Sequence, residues 1–440
     1  MNPSLAAISA LTALALIAVI LAGCTGPGEP GPSIEATPTP TVTVTTPPSL
    51  PPPEIPGSAI SVVDGNNRFA LDLYGRIADD PKAGDGNIFF SPFSISTALA
   101  ITYEGARGET ADEIQSVFHF PVNQTALRSG YATLVARVNS RLNAYTLRTA
   151  NALWAEKTHP FLPDYLGIAD RYYGAKTTNM DFIYQPEKSR IIINQWVEDK
   201  TGDQIKDLIP PGAIDSSTAL VITNAIYFKG TWVKQFDPEK TRDADFMTGS
   251  GTTIRVPMMQ RTDDAAVFRY AETEMFQVLE MPYESGSGTE LAMLVVLPRE
   301  NDTAGIVQSL DVEILQEIRQ SLAFRVVRVY FPKFVMETKY FLPRTLSDMG
   351  MPTAFTTGAD FSAMDGSRDL FITDVIHQAF VEVNEEGTEA AAATAVIMGK
   401  GASPAEEKVP VFRADHPFIF FIQERETGNI LFMGRVSDPV

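Results

Sequence analysis

The sequence predicts a mixed α+β protein, and three patterns support this prediction. Helix-like segments with recognisable ends come early, such as "SPFSISTALAITYEG" and "SRIIINQWVEDKTG". Apolar runs of strand length, such as "ELAMLVVLP", come later. The C-terminal "PFIFFIQERETGNILFMGRV" has two apolar runs around Glu-Thr-Gly-Asn, a strong hairpin signal. Because helices and strands do not alternate one by one, the pattern favours α+β over a repeating βαβ series.

The first helices have local start and stop signals. In "NIFFSPFSISTALAITYEGA" an apolar strand leads into a helix, with Ser91 as N-cap, Pro92 in the first turn and Gly105 at the end. In "TADEIQSVF", Thr110 and Glu113 have the spacing of a capping box, which predicts a helix start at Thr110.

The later elements follow from apolar periodicity. "SRIIINQWVEDKTG" predicts a helix that ends at Gly202. "TALVITNAIYFKGTW" and "ELAMLVVLP" are bounded by Gly and Pro, which predicts buried strands. "FRVVRVYFPKF" and "AFVEV" alternate in places, as half-buried strands do.

Charge excludes one class of function. The chain has 440 residues, 44% hydrophobic and 20% charged, with 35 Lys and Arg against 54 Asp and Glu. The formal net charge of −19 repels phosphate backbones, so we expect no nucleic-acid binding.

The N-terminus predicts export. An apolar run over residues 5–22 ends in "LAGC", which resembles a prokaryotic lipobox in which Cys24 carries the lipid. Only the terminal amine, and no Lys or Arg, precedes this run, and a plain transmembrane anchor is the alternative. Cys24 is the single cysteine, so its lipidation would leave no disulfide, Cys nucleophile or thiolate metal site.

These patterns divide the chain into three parts. Residues 1–23 are a predicted signal peptide, and residues 24–60 are a lipid-anchored, Pro- and Thr-rich linker that we expect to be disordered. Residues 61–440 form the predicted folded domain, without another linker-like break.

Known catalytic patterns are absent from the sequence. There is no G-x-S-x-G elbow, no Ser three residues before a Lys, no H-E-x-x-H and no phosphate loop. We therefore expect a protein that is not an enzyme.

The chain resembles the serpin family from about residue 64 to residue 439. "NIFFSPFSISTAL", "LVITNAIYFKGTW", "VNEEGTEAAAATA" and "ADHPFIFFI" are similar to four family segments, in the expected order. The resemblance implies three β-sheets, eight or nine helices and an exposed reactive loop, here at about residues 385–410. It also implies suicide inhibition of serine proteases, sometimes of cysteine proteases. A serpin scaffold that binds without inhibiting is the alternative.

The loop's small residues suit strand insertion. In the family a protease cleaves the loop and forms an acyl-enzyme, and the N-terminal part of the loop then enters the main sheet. Alternation would place Thr388, Ala390, Ala392, Thr394 and Val396 on one face. Small side chains can enter a packed interior without a steric barrier. Alone, the alanines would favour a solvated helix, but they follow a strand and a Gly.

The predicted hinge residues are Glu385, Gly387, Thr388, Ala390, Ala391, Ala392 and Ala393.

The scissile bond is predicted by counting from the hinge. Spacing as in inhibitory relatives places it at Lys400-Gly401 or Gly401-Ala402, with Met398-Gly399 as a further alternative. Lys400 is the only cation between Val381 and Lys408, which favours a trypsin-like protease. Cleavage at Gly401-Ala402 would suit a subtilisin- or elastase-like enzyme.

The resemblance also assigns conformational control residues. Ser91, Ser94, Asn224 and His377 match the family's shutter, a polar network under the main sheet, and Trp232 matches its breach tryptophan. No cofactor or metal is expected. We expect an extracellular monomer, tethered to the outer face of the cell membrane only through Cys24, or secreted, with a serine protease as partner.

Overall fold

A computed structural model describes residues 55–80, 86–300, 303–388 and 408–440 of the chain. Its first helix begins at Gly57, inside the stretch that the sequence assigned to the linker through residue 60. Ala59, Val62 and Val63 are buried along this helix, so its first turn already packs against the core. Among the described residues, no helix combines the length and apolar composition needed to cross a bilayer.

The described chain has nine α-helices of at least seven residues and one single helical turn. In order they are α1 Gly57–Ala78, α2 Pro92–Gly105, α3 Gly108–Val117, α4 Gln124–Val138, α5 Pro163–Tyr173, α6 Pro186–Thr201, α7 Thr303–Ser309, α8 Val312–Ser321, α9 Pro343–Met349 and the turn α10 Ser362–Asp365.

The described chain also has seventeen strands. They are β1 Ile88–Phe90, β2 Thr146–Glu156, β3 Lys176–Met180, β4 Leu220–Thr231, β5 Arg242–Met247, β6 Thr253–Arg261, β7 Val267–Glu272, β8 Phe276–Pro282, β9 Leu291–Pro298, β10 Ala323–Val326, β11 Arg328–Pro332, β12 Phe334–Phe341, β13 Ile372–Val383, β14 Gly387–Thr388, β15 Val411–Arg413, β16 Phe418–Glu424 and β17 Ile430–Val436.

These strands form three sheets, which confirms the predicted α+β fold. The main sheet has the order β12-β13-β4-β2-β3, with β14 paired to β4. A seven-stranded sheet has the order β1-β17-β16-β9-β8-β7-β10, and a four-stranded sheet has the order β15-β11-β6-β5. In the centre of the main sheet, β13 runs parallel to β4, from the pair Ile372–Leu220 to the pair Phe380–Tyr227.

The central strand β4 is buried on both faces, which explains why most of its side chains are apolar. Ile222, Ile226 and Phe228 belong to the large core that the sheet shares with α2. Val221 and Ala225 point the other way, into a smaller cluster beneath α6. A strand buried on both faces has no polar side to alternate with, as the run "LVITNAIYF" shows.

Most local predictions are confirmed. Ser91 caps α2 by accepting a hydrogen bond from the Ser94 amide, α6 ends at Gly202 in the left-handed conformation, and β16 and β17 form the predicted hairpin. The helix start predicted at Thr110 from the capping-box spacing was wrong, because α3 begins at Gly108. The Thr110 hydroxyl instead accepts a hydrogen bond from the Asp360 amide at 3.0 Å, a tertiary contact that local spacing does not reveal.

Candidate functional site: the hinge and the main sheet

The hinge begins a new strand in the main sheet. After β13 ends at Val383 the chain turns back, and β14 pairs antiparallel with the end of β4. Gly387 lies opposite Thr231, and Thr388 lies opposite Gly230. The β13–β4 ladder stops at Tyr227, so β14 occupies the end of β4 that β13 leaves unpaired. The first two residues of this segment are therefore already part of the sheet.

Only glycine fits at position 387. Its φ of 154° lies in a region that residues with a side chain rarely adopt. A Cβ atom built there would lie 2.1 Å from the Gly230 carbonyl oxygen. The close approach of two backbones thus gives Gly387, a predicted hinge residue, a steric role in this turn.

Thr388 is buried, and its hydroxyl group has a partner. Its Oγ1 atom lies 2.9 Å from the hydroxyl oxygen of Tyr283. The Tyr283 ring stacks on Trp232, with 4.4 Å between ring centroids. Burial raises the pKa of Tyr283 well above its usual value, so this hydroxyl stays protonated and can donate. The sequence pointed to Thr388 and Trp232 but missed Tyr283, which connects them.

The loop after β4 holds the turn that precedes β14. The Trp232 indole Nε1 donates to the Asn384 carbonyl at 3.1 Å, and its backbone amide donates to the Glu386 carbonyl at 2.8 Å. The Phe236 amide donates to the Glu385 carbonyl at 2.8 Å. Hydrogen bonds from this loop to three consecutive carbonyl groups, those of residues 384–386, therefore determine the shape of the hinge turn.

The Glu385 side chain anchors the same turn. Its carboxylate pairs with the Lys333 ammonium at 2.8 Å and accepts from the Thr241 hydroxyl at 2.7 Å. Burial alone would raise the pKa of Glu385, but these two donors hold it below its usual value. The sequence indicated Glu385 but gave no sign of Lys333 or Thr241.

The four predicted shutter residues lie together beneath the centre of the main sheet. His377 on β13 lies opposite Asn224 on β4, and its Nδ1 atom is hydrogen-bonded to the Asn224 Oδ1 atom. The Ser91 amide donates to His377 Nε2 at 3.1 Å. Asn224 Nδ2 donates to the Ser94 hydroxyl at 2.7 Å. The network therefore links β13, β4 and the start of α2.

The protonation state of His377 follows from these contacts. Because Nε2 accepts from the Ser91 amide, the proton of the neutral ring lies on Nδ1, where it is donated to Asn224. Complete burial lowers the pKa of His377 to about 3, so the ring is neutral at ordinary pH.

Asn151 is a further member of this network that sequence reasoning missed. It lies opposite Asn224 in the β2–β4 ladder, and its Oδ1 atom accepts from Asn224 at 2.8 Å and from Ser94 at 3.0 Å. A single Asn in the apolar stretch "TANALWAE" was the available signal. The network thus extends over three neighbouring strands of the sheet.

Several predicted site residues lie outside the described residues. They are the hinge residues Ala390, Ala391, Ala392 and Ala393, the scissile-bond residues Lys400, Gly401 and Ala402, and the lipidation residue Cys24. Within the described ranges, no group of three or more His, Cys, Asp or Glu side chains could hold a metal ion.

The three-sheet fold and the hinge define a protein whose main sheet already contains the start of an extra strand. Comparison with known proteins identifies its family. The family model for "Serpin (serine protease inhibitor)" matches residues 64–439. The chain therefore belongs to the serpin family.

Individual relatives agree with this assignment. An uncharacterized serpin-like protein of Thermococcus kodakarensis is 42% identical over 384 residues, which cover 87% of each chain. The leukocyte elastase inhibitor of Bos taurus is 42% identical over 381 residues, covering 85% of this chain and 98% of the relative. Human thyroxine-binding globulin, solved with thyroxine bound, is 30% identical with a TM-score of 0.77, covering 87% and 100% of the two chains.

Proposed function

We propose that this protein is a suicide inhibitor of serine proteases, whose loop is cleaved and then inserted into the main sheet. The observation that carries the proposal is the pairing of β14 with β4, with Thr388 buried. Formation of the first strand pairs is the costly step in ordering a flexible segment, because later pairs add to an existing ladder. Here the first pairs exist before cleavage.

The register of β14 specifies where the rest of the segment would go. Continued without a bulge, it places Ala390 opposite Phe228, Ala392 opposite Ile226 and Thr394 opposite Asn224. Phe228 and Ile226 face the large core, so the alanines would enter beside side chains that are already packed. Larger residues would overpack this space at a cost of about 1–3 kcal/mol each.

Insertion requires β13 to separate from β4. Between Tyr227 and Leu220 the edge of β4 is paired with β13, so this ladder and the hydrogen bond between His377 and Asn224 must both break. The new strand would replace one ladder by two, and each additional hydrogen bond contributes about 1 kcal/mol. The shutter network thus opposes early opening of the sheet, and the finished insertion compensates for its loss.

The covalent step proceeds through the protease. Its serine hydroxyl attacks the carbonyl carbon of the bait residue, proposed as Lys400, with Gly401 after the bond. An ester to the protease forms, and the amide nitrogen of Gly401 leaves as an amine after accepting a proton. If the loop inserts before water hydrolyses the ester, the protease stays covalently trapped. If hydrolysis of the ester is faster than insertion, the protease is released and the chain is only a substrate.

The proposed target is a trypsin-like protease, because Lys400 is the cation in the loop sequence. A subtilisin- or elastase-like target is the second candidate, and the 42% identity to a leukocyte elastase inhibitor favours the elastase-like enzyme. A non-inhibitory binding protein is the alternative function, and the fold similarity to thyroxine-binding globulin supports it. The small residues after Thr388 favour inhibition.

A gel and a melting curve test the proposal. The protein is mixed with trypsin, with elastase and with subtilisin, and we expect a complex that survives SDS with at least one of them. Loop-cleaved protein should also melt at a higher temperature than intact protein, because insertion adds a strand. A cleaved form that melts no higher, with no covalent complex, would favour the binding protein.

We also propose that the protein acts outside the cell, tethered to the membrane through lipidated Cys24. The support is the run "LAGC" at the end of an apolar stretch, followed by a Pro- and Thr-rich segment that could serve as a spacer.

A further inference from the structure

Two chain segments meet beside the hinge, and each contributes a cation. One is the loop of residues 232–236, which follows β4 and contains Lys234, and the other is residues 261–266, which comprise Arg261 at the end of β6 and the loop after it. The Lys234 ammonium donates to the Ala265 carbonyl at 3.4 Å, and the Arg261 Nη1 atom donates to the Gln235 carbonyl. The two cationic side chains therefore cross between the loops, each bound to backbone of the opposite loop.

The nearest carboxylate does not fully compensate these charges. The Asp263 Oδ2 atom lies 3.7 Å from Arg261 Nε, beyond hydrogen-bonding distance. The other carboxylate oxygen of Asp263 accepts from the Ala265 amide at 3.0 Å, so its own turn holds the group in place. In the described part of the chain, the buried Nε atom of Arg261 has no hydrogen-bond partner.

The electrostatics agree with an excess of positive charge. Burial and the neighbouring Arg261 guanidinium lower the pKa of Lys234, and Asp263 opposes this only in part. Two cations thus share the carboxylate of Asp263, which lies at ion-pairing distance from Arg261, in a partly desolvated place where each charge interacts more strongly than in water.

We propose that Lys234 and Arg261 form a binding site for a small oxyanion such as sulfate or phosphate. A guanidinium and an ammonium group together bind an oxyanion with charge-assisted hydrogen bonds, the strongest type available to side chains. The Arg261 side chain is 20% exposed and Lys234 is partly exposed, so a small anion can reach the exposed part of each side chain but not the buried Nε atom of Arg261. The negative charge of the anion would balance the positive charge of Lys234 and Arg261 that Asp263 does not neutralise.

The site is connected to the hinge through the first loop. Residues of this loop hold the hinge backbone, since Trp232 binds the Glu386 carbonyl and Phe236 binds the Glu385 carbonyl. An anion held by Lys234 would stiffen the same loop. The bound anion would therefore stabilise the hinge in the described conformation and change the fluorescence of Trp232.

Equilibrium dialysis of the full chain against labelled inorganic sulfate tests the site directly. Sodium chloride keeps the ionic strength constant. We expect saturable binding of one sulfate per chain by the wild type. Lys234→Gln should bind about tenfold more weakly, which corresponds to about 1.4 kcal/mol. Lys240→Gln is the matched control, because the Lys240 side chain is 55% exposed and forms its ion pair with Asp237, at 3.6 Å. Its affinity should equal that of the wild type.

A second variant addresses the arginine. Arg261→Lys retains the charge but loses the planar fork, so it should also weaken sulfate binding. Sulfate stabilises proteins in general by exclusion from their surface, but this effect is not saturable and acts on all variants alike. Binding that is unsaturable, or equal in the wild type and Lys234→Gln, would overturn the site. Neither result depends on whether the protein inhibits a protease.

Discussion

The hydroxyl group of Thr388 lies 2.9 Å from that of Tyr283, and both side chains are buried. The two residues are 105 positions apart in the chain. Tyr283 follows β8 of the seven-stranded sheet, whereas Thr388 belongs to β14 at the main sheet. This contact therefore connects the start of the proposed inserting strand to a second sheet, and Tyr283 also stacks on Trp232.

The Thr388→Arg variant should turn the inhibitor into a substrate. An uncompensated guanidinium at this buried site costs several kcal/mol, so insertion should slow or fail. We expect the target protease to cleave the loop and then to be released active, without an SDS-stable complex. Thr388→Ser keeps the hydroxyl group and should still inhibit. If Thr388→Arg traps the protease as well as wild type does, the insertion model is incorrect.

Gly387→Ala should detach β14 from β4. The added Cβ atom would lie 2.1 Å from the Gly230 carbonyl oxygen, so the backbone must move away. We expect faster hydrogen exchange at the amides of the hinge, measured by mass spectrometry, and a change in Trp232 fluorescence. Gly75→Ala on α1 is the control, since its Cβ atom would meet nothing within 4 Å. Unchanged hinge exchange in Gly387→Ala would contradict the close approach.

His377 should make stability depend on pH. Its pKa is about 3 in the folded protein, against an unfolded value of about 6.5. Between these values the unfolded chain binds the extra proton, so the stabilisation is complete above about pH 6.5 and is lost as pH falls toward 3. The loss reaches about 1.4 kcal/mol per pH unit within that window.

The measurement compares His377→Gln with the wild type. The free energy of unfolding is determined from about pH 6.5 downward, and the difference between the two proteins removes the contribution of other groups. The wild type should lose stability more steeply than the variant. Parallel curves would show that His377 is already charged or exposed.

Lys400→Ala should abolish complex formation with trypsin. A trypsin-like pocket recognises a cationic side chain through a buried carboxylate, and alanine lacks the charge. The measurement is the yield of SDS-stable complex. Lys408→Ala removes the next cation along the chain, which is exposed, and should leave the yield unchanged. Equal complex formation by Lys400→Ala would move the scissile bond elsewhere, with Gly401-Ala402 as the next candidate.

Cys24→Ser should release the protein into the medium or leave it unprocessed. Serine lacks the thiol that carries the lipid in a lipobox. The measurement is cell fractionation, together with mass spectrometry of the native N-terminus. An N-terminus cleaved at another position, with Cys24 unmodified, would exclude the lipid anchor.

The sequence by itself determined the features that depend on neighbouring residues. The N-cap at Ser91, the end of α6 at Gly202 and the hairpin of β16 and β17 each involve residues within a few positions, where backbone sterics and single hydrogen bonds decide. The apolar run of β4 likewise indicated a buried strand. The family motifs predicted the hinge and the shutter, and the fold brings the four predicted shutter residues together.

Only the tertiary structure decided which residues meet. No sequence motif marked three of the residues that contact the predicted site. The fold brings Tyr283 to Thr388, Asn151 to Asn224 and Lys333 to Glu385. The predicted capping box was wrong for the same reason. Its two side chains are hydrogen-bonded to residues far along the chain, Thr110 to Asp360 and Glu113 to Thr353. Contacts between distant residues depend on strand register and sheet packing. Those are properties of the whole fold, so no local pattern contains them.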